Sequence, residues 1–132
     1  MPTVIRKTRE TIIEARREIL HAVSWQVGSS AWSPPTDVYE TETSFFIRME
    51  IAGMREEDFD VSIQNHTILI TGIRNDSHER RSYHQMEIQS GKFAITVDLP
   101  NSIDIENAHA EYQNGFLTVT LPNTNSKHIK VK

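Results

Sequence analysis

The chain has 132 residues, enough for one ordinary domain with a core of its own. Hydrophobic residues make up 37%, charged residues 24%, and the formal net charge is −4, so no global field draws it to nucleic acid. The lack of cysteine excludes disulfides, thiol catalysis, iron–sulfur clusters and thiolate zinc sites, and no apolar run reaches the ~18 residues of a membrane span.

Residues 1–33 differ from the rest. They carry Arg6, Lys7, Arg9, Arg16 and Arg17 against Glu10, Glu14 and Glu18, while acids outnumber bases in the remainder. Ile5, Ile12 and Ile19 recur every seven residues. Ile13, Leu20 and Val27 form a second row, and Thr8, Ala15 and Ala22 complete the stripe. Arg6, Lys7, Glu10, Glu14 and Arg17 lie opposite. The spacing predicts an amphipathic helix over residues 4–23. Gly28, Ser29, Ser30, Pro34 and Pro35 then stop it and form a linker. No second helix is predicted, so the stripe must dock on the chain's own sheet, on another subunit or on something else. The interrupted apolar pattern is also not that of a signal peptide, and a reducing cytoplasm is the simplest home.

From Tyr39 onward the period becomes two. Phe45, Ile47, Met49 and Ile51 alternate with Phe46, Arg48 and Glu50, and Ala52-Gly53 ends that run. Phe59, Val61 and Ile63 alternate with Asp60, Ser62 and Gln64, followed by a turn at Asn65-His66. Residues 67–73 form a dense β-branched strand. Residues 75–82 read as a polar loop, and 83–88 as a strand at or beyond a sheet edge. Phe93, Ile95, Val97 and Leu99 make the next strand, stopped by Pro100. Ala108, Ala110 and Tyr112, the hairpin signal Asn114-Gly115, and Leu117, Val119 and Leu121 complete the pattern. Short strands at this spacing predict an all-β sandwich.

Sites for chemistry are not apparent. His21, His66, His78, His84, His109 and His128 show no metal-ligand spacing, so no metal is expected. There is no G-x-S-x-G elbow and no glycine-rich phosphate loop, so neither an enzyme nor a cofactor is expected. The acids of Glu56-Glu57-Asp58 and Asp104-x-Glu106 fall between strands, where solvation or capping accounts for them. At the far end, Ile129-Lys130-Val131 sits on a polar tether. In an extended tail, Ile129 and Val131 point to one side, the geometry of strand addition at a sheet edge.

The stretch Ala110-Glu111-Tyr112-Gln113-Asn114-Gly115-Phe116-Leu117-Thr118-Val119-Thr120-Leu121-Pro122 resembles the A-x-Y-x-N-G-x-L-x-V-x-L-P signature of the small heat-shock proteins, the α-crystallin family. Pro34-x-x-Asp37-Val38-Tyr39-Glu40, Glu50-x-Ala52-Gly53-Met54-x-x-Glu57-Asp58, Tyr83-His84-x-x-Glu87, Gly91-x-Phe93, Leu99-Pro100 and Ile129-x-Val131 fit the same family in order and spacing. The chain thus resembles the bacterial and archaeal type over residues 34–131. At Ile88 and Ile95 it departs from the family, which commonly has Arg there.

The resemblance implies an immunoglobulin-like β-sandwich over residues 34–123, an N-terminal helical arm over 1–33 and an extended tail over 124–132. The family signature is Ala110, Tyr112, Asn114, Gly115, Leu117 and Val119. A dimer-interface strand maps onto Tyr83, His84, Met86, Glu87 and Ile88. Ile129 and Val131 become an oligomerisation tail, and Ile5, Ile12, Ile13, Ile19, Leu20 and Trp25 a client-binding arm. The implied function is ATP-independent holding of partly unfolded proteins under stress. The expected partners are copies of the chain and unfolded clients, without nucleic acid and without stable membrane association. The competing expectation is a partner-specific adaptor of the CS-domain type.

Overall fold

The computed structural model describes residues 5–6, 31–76 and 79–124. Among the described residues there are eight strands: β1 (Ile5–Arg6), β2 (Thr36–Glu40), β3 (Ser44–Glu50), β4 (Phe59–Gln64), β5 (Thr67–Arg74), β6 (Gly91–Asp98), β7 (His109–Gln113) and β8 (Phe116–Pro122). They form two four-stranded sheets, ordered β1-β4-β5-β6 and β2-β3-β8-β7. All neighbours pair antiparallel except β1, which lies parallel to β4 with Ile5 opposite Val61 and Arg6 opposite Ser62. The expected all-β sandwich is what these residues build.

Alternation explains the layers. Ile47 and Met49 of β3 face Leu117 and Val119 of β8 along the ladder, and all four are fully buried. Val61, Ile63, Ile68 and Ile70 close the core from the other sheet. The outward residues Arg48 and Glu50 of β3 are exposed. On that outer side the Arg48 guanidinium stacks over Phe116 at 3.9 Å and Tyr39 stacks on Phe46 at 5.2 Å.

Two hairpins turn where both turn residues have positive φ. Asn65 and His66 stand at 48° and 64°, and Asn114 and Gly115 at 52° and 81°. This is the turn whose twist matches the flanking strands, and it favours Asn and Gly. The acidic runs also sit as expected between strands, in one-turn 3-10 helices at Glu56–Asp58 and Ile105–Asn107, the latter preceded by Asp104.

The predicted helix over residues 4–23 needs a correction at its start, because Ile5 and Arg6 are strand residues on the β4 edge. An apolar residue every seven positions cannot exclude an extended start, since the edge of a sheet also satisfies backbone groups. Residues 83–88 form no regular strand, and their side chains are exposed. Before the first alternating run a further strand, β2, spans Thr36–Glu40, which the alternation did not single out.

A row of aromatic contacts ties the two sheets together. Trp32 meets Phe93 edge-on at 5.9 Å, Phe93 meets Phe59 at 6.1 Å, and Phe59 meets Tyr112 at 5.0 Å. Gly72 leaves the room for this packing: a Cβ there would stand 2.5 Å from Phe93 Cζ and 2.9 Å from the Asp58 carbonyl oxygen. Gly72→Ala is therefore expected to lower unfolding stability by about 1–3 kcal/mol through overpacking, read as a shifted urea midpoint at unchanged slope.

Candidate functional site

The signature residues prove to be scaffold. Ala110, Leu117 and Val119 have no exposed surface. The Tyr112 hydroxyl donates to the Ile51 carbonyl at 2.8 Å and accepts from the Met54 N–H at 3.3 Å. The Gly115 carbonyl accepts from the Ile51 N–H at 2.8 Å. The β7–β8 hairpin thus pins the Ala52-Gly53 turn that ends β3, where Gly53 has a φ of +80°.

Arg74, the last residue of β5, carries a second junction. Its Nε and Nη2 donate to the Gln89 carbonyl at 3.0 and 2.6 Å, and Nη1 donates to the Ala52 carbonyl at 3.3 Å. Its guanidinium also lies over the Trp32 ring at 4.7 Å. One planar cation therefore joins the end of β5, the turn after β3, the chain at Gln89 two residues before β6 and the aromatic row. Sequence reasoning did not single it out, because every partner but its own strand is distant in the chain.

The loop between β5 and β6 is held at its other end by exposed polar contacts. Arg81 donates to the Tyr83 hydroxyl at 3.2 Å, which donates to Asp76 Oδ2 at 3.2 Å. Arg81 also pairs with Asp76 at 3.8 Å and Glu79 at 3.5 Å. Exposed pairs of this kind contribute little stability, because water screens them. Tyr83, Met86 and Ile88 are 46%, 60% and 79% exposed, and with Arg74 and Gly53 they line a cleft of about 340 Å³. His84 and Glu87 are exposed on the same stretch. Ile95, by contrast, packs against the core.

Strand edges are the other available surface. Among the described residues no strand covers the outer edges of β2 and β7. Val38 and Tyr39 of β2 are 45% and 43% exposed. The β4 edge accepts Ile5–Arg6, and the β6 edge accepts Trp32, whose N–H donates to the Lys92 carbonyl while its carbonyl accepts from the Ala94 N–H. Ile12, Ile13, Ile19, Leu20, Trp25, Ile129 and Val131 lie outside the described residues. The described residues hold no group of three or more His, Asp or Glu placed to bind a metal, and no helix among them is long and apolar enough to cross a membrane.

The pinned hairpin and the sandwich around it have clear counterparts. The Hsp20/alpha crystallin family model matches residues 37–132. The chain belongs to this family. It is 32% identical over 91 residues to small heat shock protein C2 of Rickettsia felis, covering 67% of this chain and 59% of that protein. To the 18.5 kDa class I heat shock protein of Glycine max it is 34% identical over 103 residues, covering 76% and 64%. The chain thus spans about three-fifths of the length of the curated relatives it matches. Heat shock protein 16.0 from Schizosaccharomyces pombe has a similar structure, with a TM-score of 0.66, 28% identity, and coverage of 76% of this chain and 96% of that one. A small heat-shock protein from Xylella fastidiosa shares the fold at a TM-score of 0.65 and 24% identity, over 76% and 97% of the two chains.

The Tyr112 hydroxyl serves one carbonyl and one N–H at once. Tyr112→Phe should therefore cost about 1–3 kcal/mol of stability, read by urea unfolding, while the assembled fold persists in circular dichroism.

Proposed function

We propose that this chain is an ATP-independent holdase, which binds partly unfolded proteins in the cytoplasm and stops them aggregating. The observation that carries this reading is a contrast in one small domain: a sealed core beside a β2 edge that no strand covers among the described residues and a loop that leaves Tyr83, Met86 and Ile88 in water. Edges and apolar patches of this kind are what proteins ordinarily hide, and they mark surfaces for association.

In this reading Tyr83, His84, Met86, Glu87 and Ile88 of one copy extend along the β2 edge of another and make the dimer. The β5–β6 loop then exchanges its weak polar contacts for a backbone ladder and buried apolar side chains. Ile129 and Val131 dock on a sheet edge of a neighbouring dimer, two residues apart on one side of a strand. That β4 already takes a two-residue strand, Ile5–Arg6, supports edge addition as this domain's mode of contact. Each fully buried aliphatic anchor is worth ~1.5–3 kcal/mol, so one tail gives a weak contact after its ordering cost. Repeated around an assembly, such contacts hold together and still exchange.

A client losing its structure exposes contiguous apolar surface. The stripe of Ile12, Ile13, Ile19 and Leu20, with Trp25, is the surface proposed to meet it. No step needs a nucleotide, a metal or a catalytic group. A heat-labile enzyme warmed with an equal mass of this protein, without ATP, is expected to scatter far less light than with an inert protein of like charge. Undiminished scattering across several unrelated clients would contradict the holdase reading and point to a single-partner adaptor.

A further inference from the structure

On the outer face of the β1-β4-β5-β6 sheet a patch on β4 and β5 is buried where an exposed face is expected, while Ile73 of β5 and Lys92, Thr96 and Asp98 of β6 are exposed on the same face. Ile68 and Ile70 belong to the core, so Leu69 between them points away from the second sheet. Leu69 is nevertheless only 1% exposed, and it is not part of the core cluster. Its cross-strand partner Ser62, between Val61 and Ile63, is 0% exposed, and the Ser62 hydroxyl has no hydrogen-bond partner. Thr67, on the same face, is also buried. The outward residues Arg48 and Glu50 of the other sheet are exposed, as a solvated face requires.

The path of the chain says what reaches this face. Ile5–Arg6 lies on the β4 edge, and Trp32 lies on the opposite, β6 edge. Four inter-strand steps separate them, roughly 19 Å. Both run in the same direction: β1 is parallel to β4, β4 and β6 are each antiparallel to β5, and Trp32 is parallel to β6. Residues 7–30 therefore make a crossover between parallel segments of one sheet, a connection that ordinarily packs a helix on the sheet face. The inner face is filled by the second sheet, which leaves the outer one. A helix of about 17 residues spans roughly 25 Å, enough to cross it.

The chemistry fits as well. Thr71 and Ala94 share the face with Ser62, and small side chains let a helix approach closely. Beside them a groove of about 530 Å³ is lined by Asp60, Thr71 and Ala94, with Ala31, where the crossover ends, on its wall. Arg9 and Arg16, seven residues apart, fall on the same side of the predicted helix as Ile12 and Ile19, and the sheet face carries Asp60 and Asp98.

We propose that residues 7–30 dock in cis on the β4–β5 part of the outer face of this sheet, with the stripe of Ile12, Ile13, Ile19 and Leu20 over Leu69 and Ser62. The proposal stands whether or not the chain holds clients. It assigns the stripe a resting partner within its own subunit.

The cysteine-free sequence makes the test clean. In the full chain, Ser62→Cys is combined with Ile12→Cys or Ile19→Cys, and with Glu14→Cys as the opposite-face control. Equal amounts of ¹⁴N- and ¹⁵N-labelled protein are mixed and oxidised, and linked peptides are read by mass spectrometry. Docking in cis predicts unmixed links for at least one stripe pair, at least tenfold more abundant than for the Glu14 pair. Mixed-isotope links from the stripe pairs would assign the face to a second copy and overturn the proposal, as would links no more frequent than in the control. Leu69→Lys gives an independent reading by hydrogen exchange. Peptides within 7–23 should exchange at least tenfold faster while those of β8 stay protected, and unchanged exchange in 7–23 would overturn the proposal.

Discussion

Two sheets packed face to face do not close on themselves, so the sandwich must leave edges with unpaired backbone groups. Everything else in this molecule answers that constraint. The β1-β4-β5-β6 sheet has both edges met from within the chain, by Ile5–Arg6 on one side and Trp32 on the other. The β2-β3-β8-β7 sheet has no such cover among the described residues, and its β2 edge shows Val38 and Tyr39 to water. One sheet is thus closed by its own chain. The other presents a template for a strand from elsewhere, which is where the proposed dimer forms.

The interior is built to tolerate this. Tyr112 and Gly115 lock the last hairpin to the turn after β3, and Arg74 locks the end of β5 to the same turn and to Gln89, two residues before β6. These ties converge on Ala52-Gly53-Met54, so the loop from β5 to β6 departs from a rigid base. The loop itself rests on exposed ion pairs worth little, and such segments open at small cost. A firm base and a cheap loop suit the proposed role of this segment, leaving its own subunit to pair with another.

Much of this could be read from residue order. β3, β4, β6 and β8 alternate cleanly, and the paired turns Asn65-His66 and Asn114-Gly115 carry residues that accept positive φ. The start of the N-terminal helix could not be read this way. Ile5 suits the heptad row and a sheet edge equally, and only tertiary pairing decides between them. Arg74 was invisible because its partners lie far along the chain. Leu69 was legible in principle: Ile68-Leu69-Ile70 breaks the alternation that one solvated face demands, a sign that both faces are covered. The exposure of Tyr83, Met86 and Ile88 needed the structure, since a spacing of apolar residues does not say whether they turn inward.

The central claim is that assembly runs through the β2 edge and the β5–β6 loop while the core stays unchanged. Hydrogen exchange on the assembled protein and on the same protein diluted until it dissociates tests it most directly. The account predicts strong protection of peptides covering Thr36–Glu40 and residues 83–88 in the assembly, lost on dissociation, with β3 and β8 equally protected in both states. Equal exchange of the β2 edge and the loop in both states would contradict it.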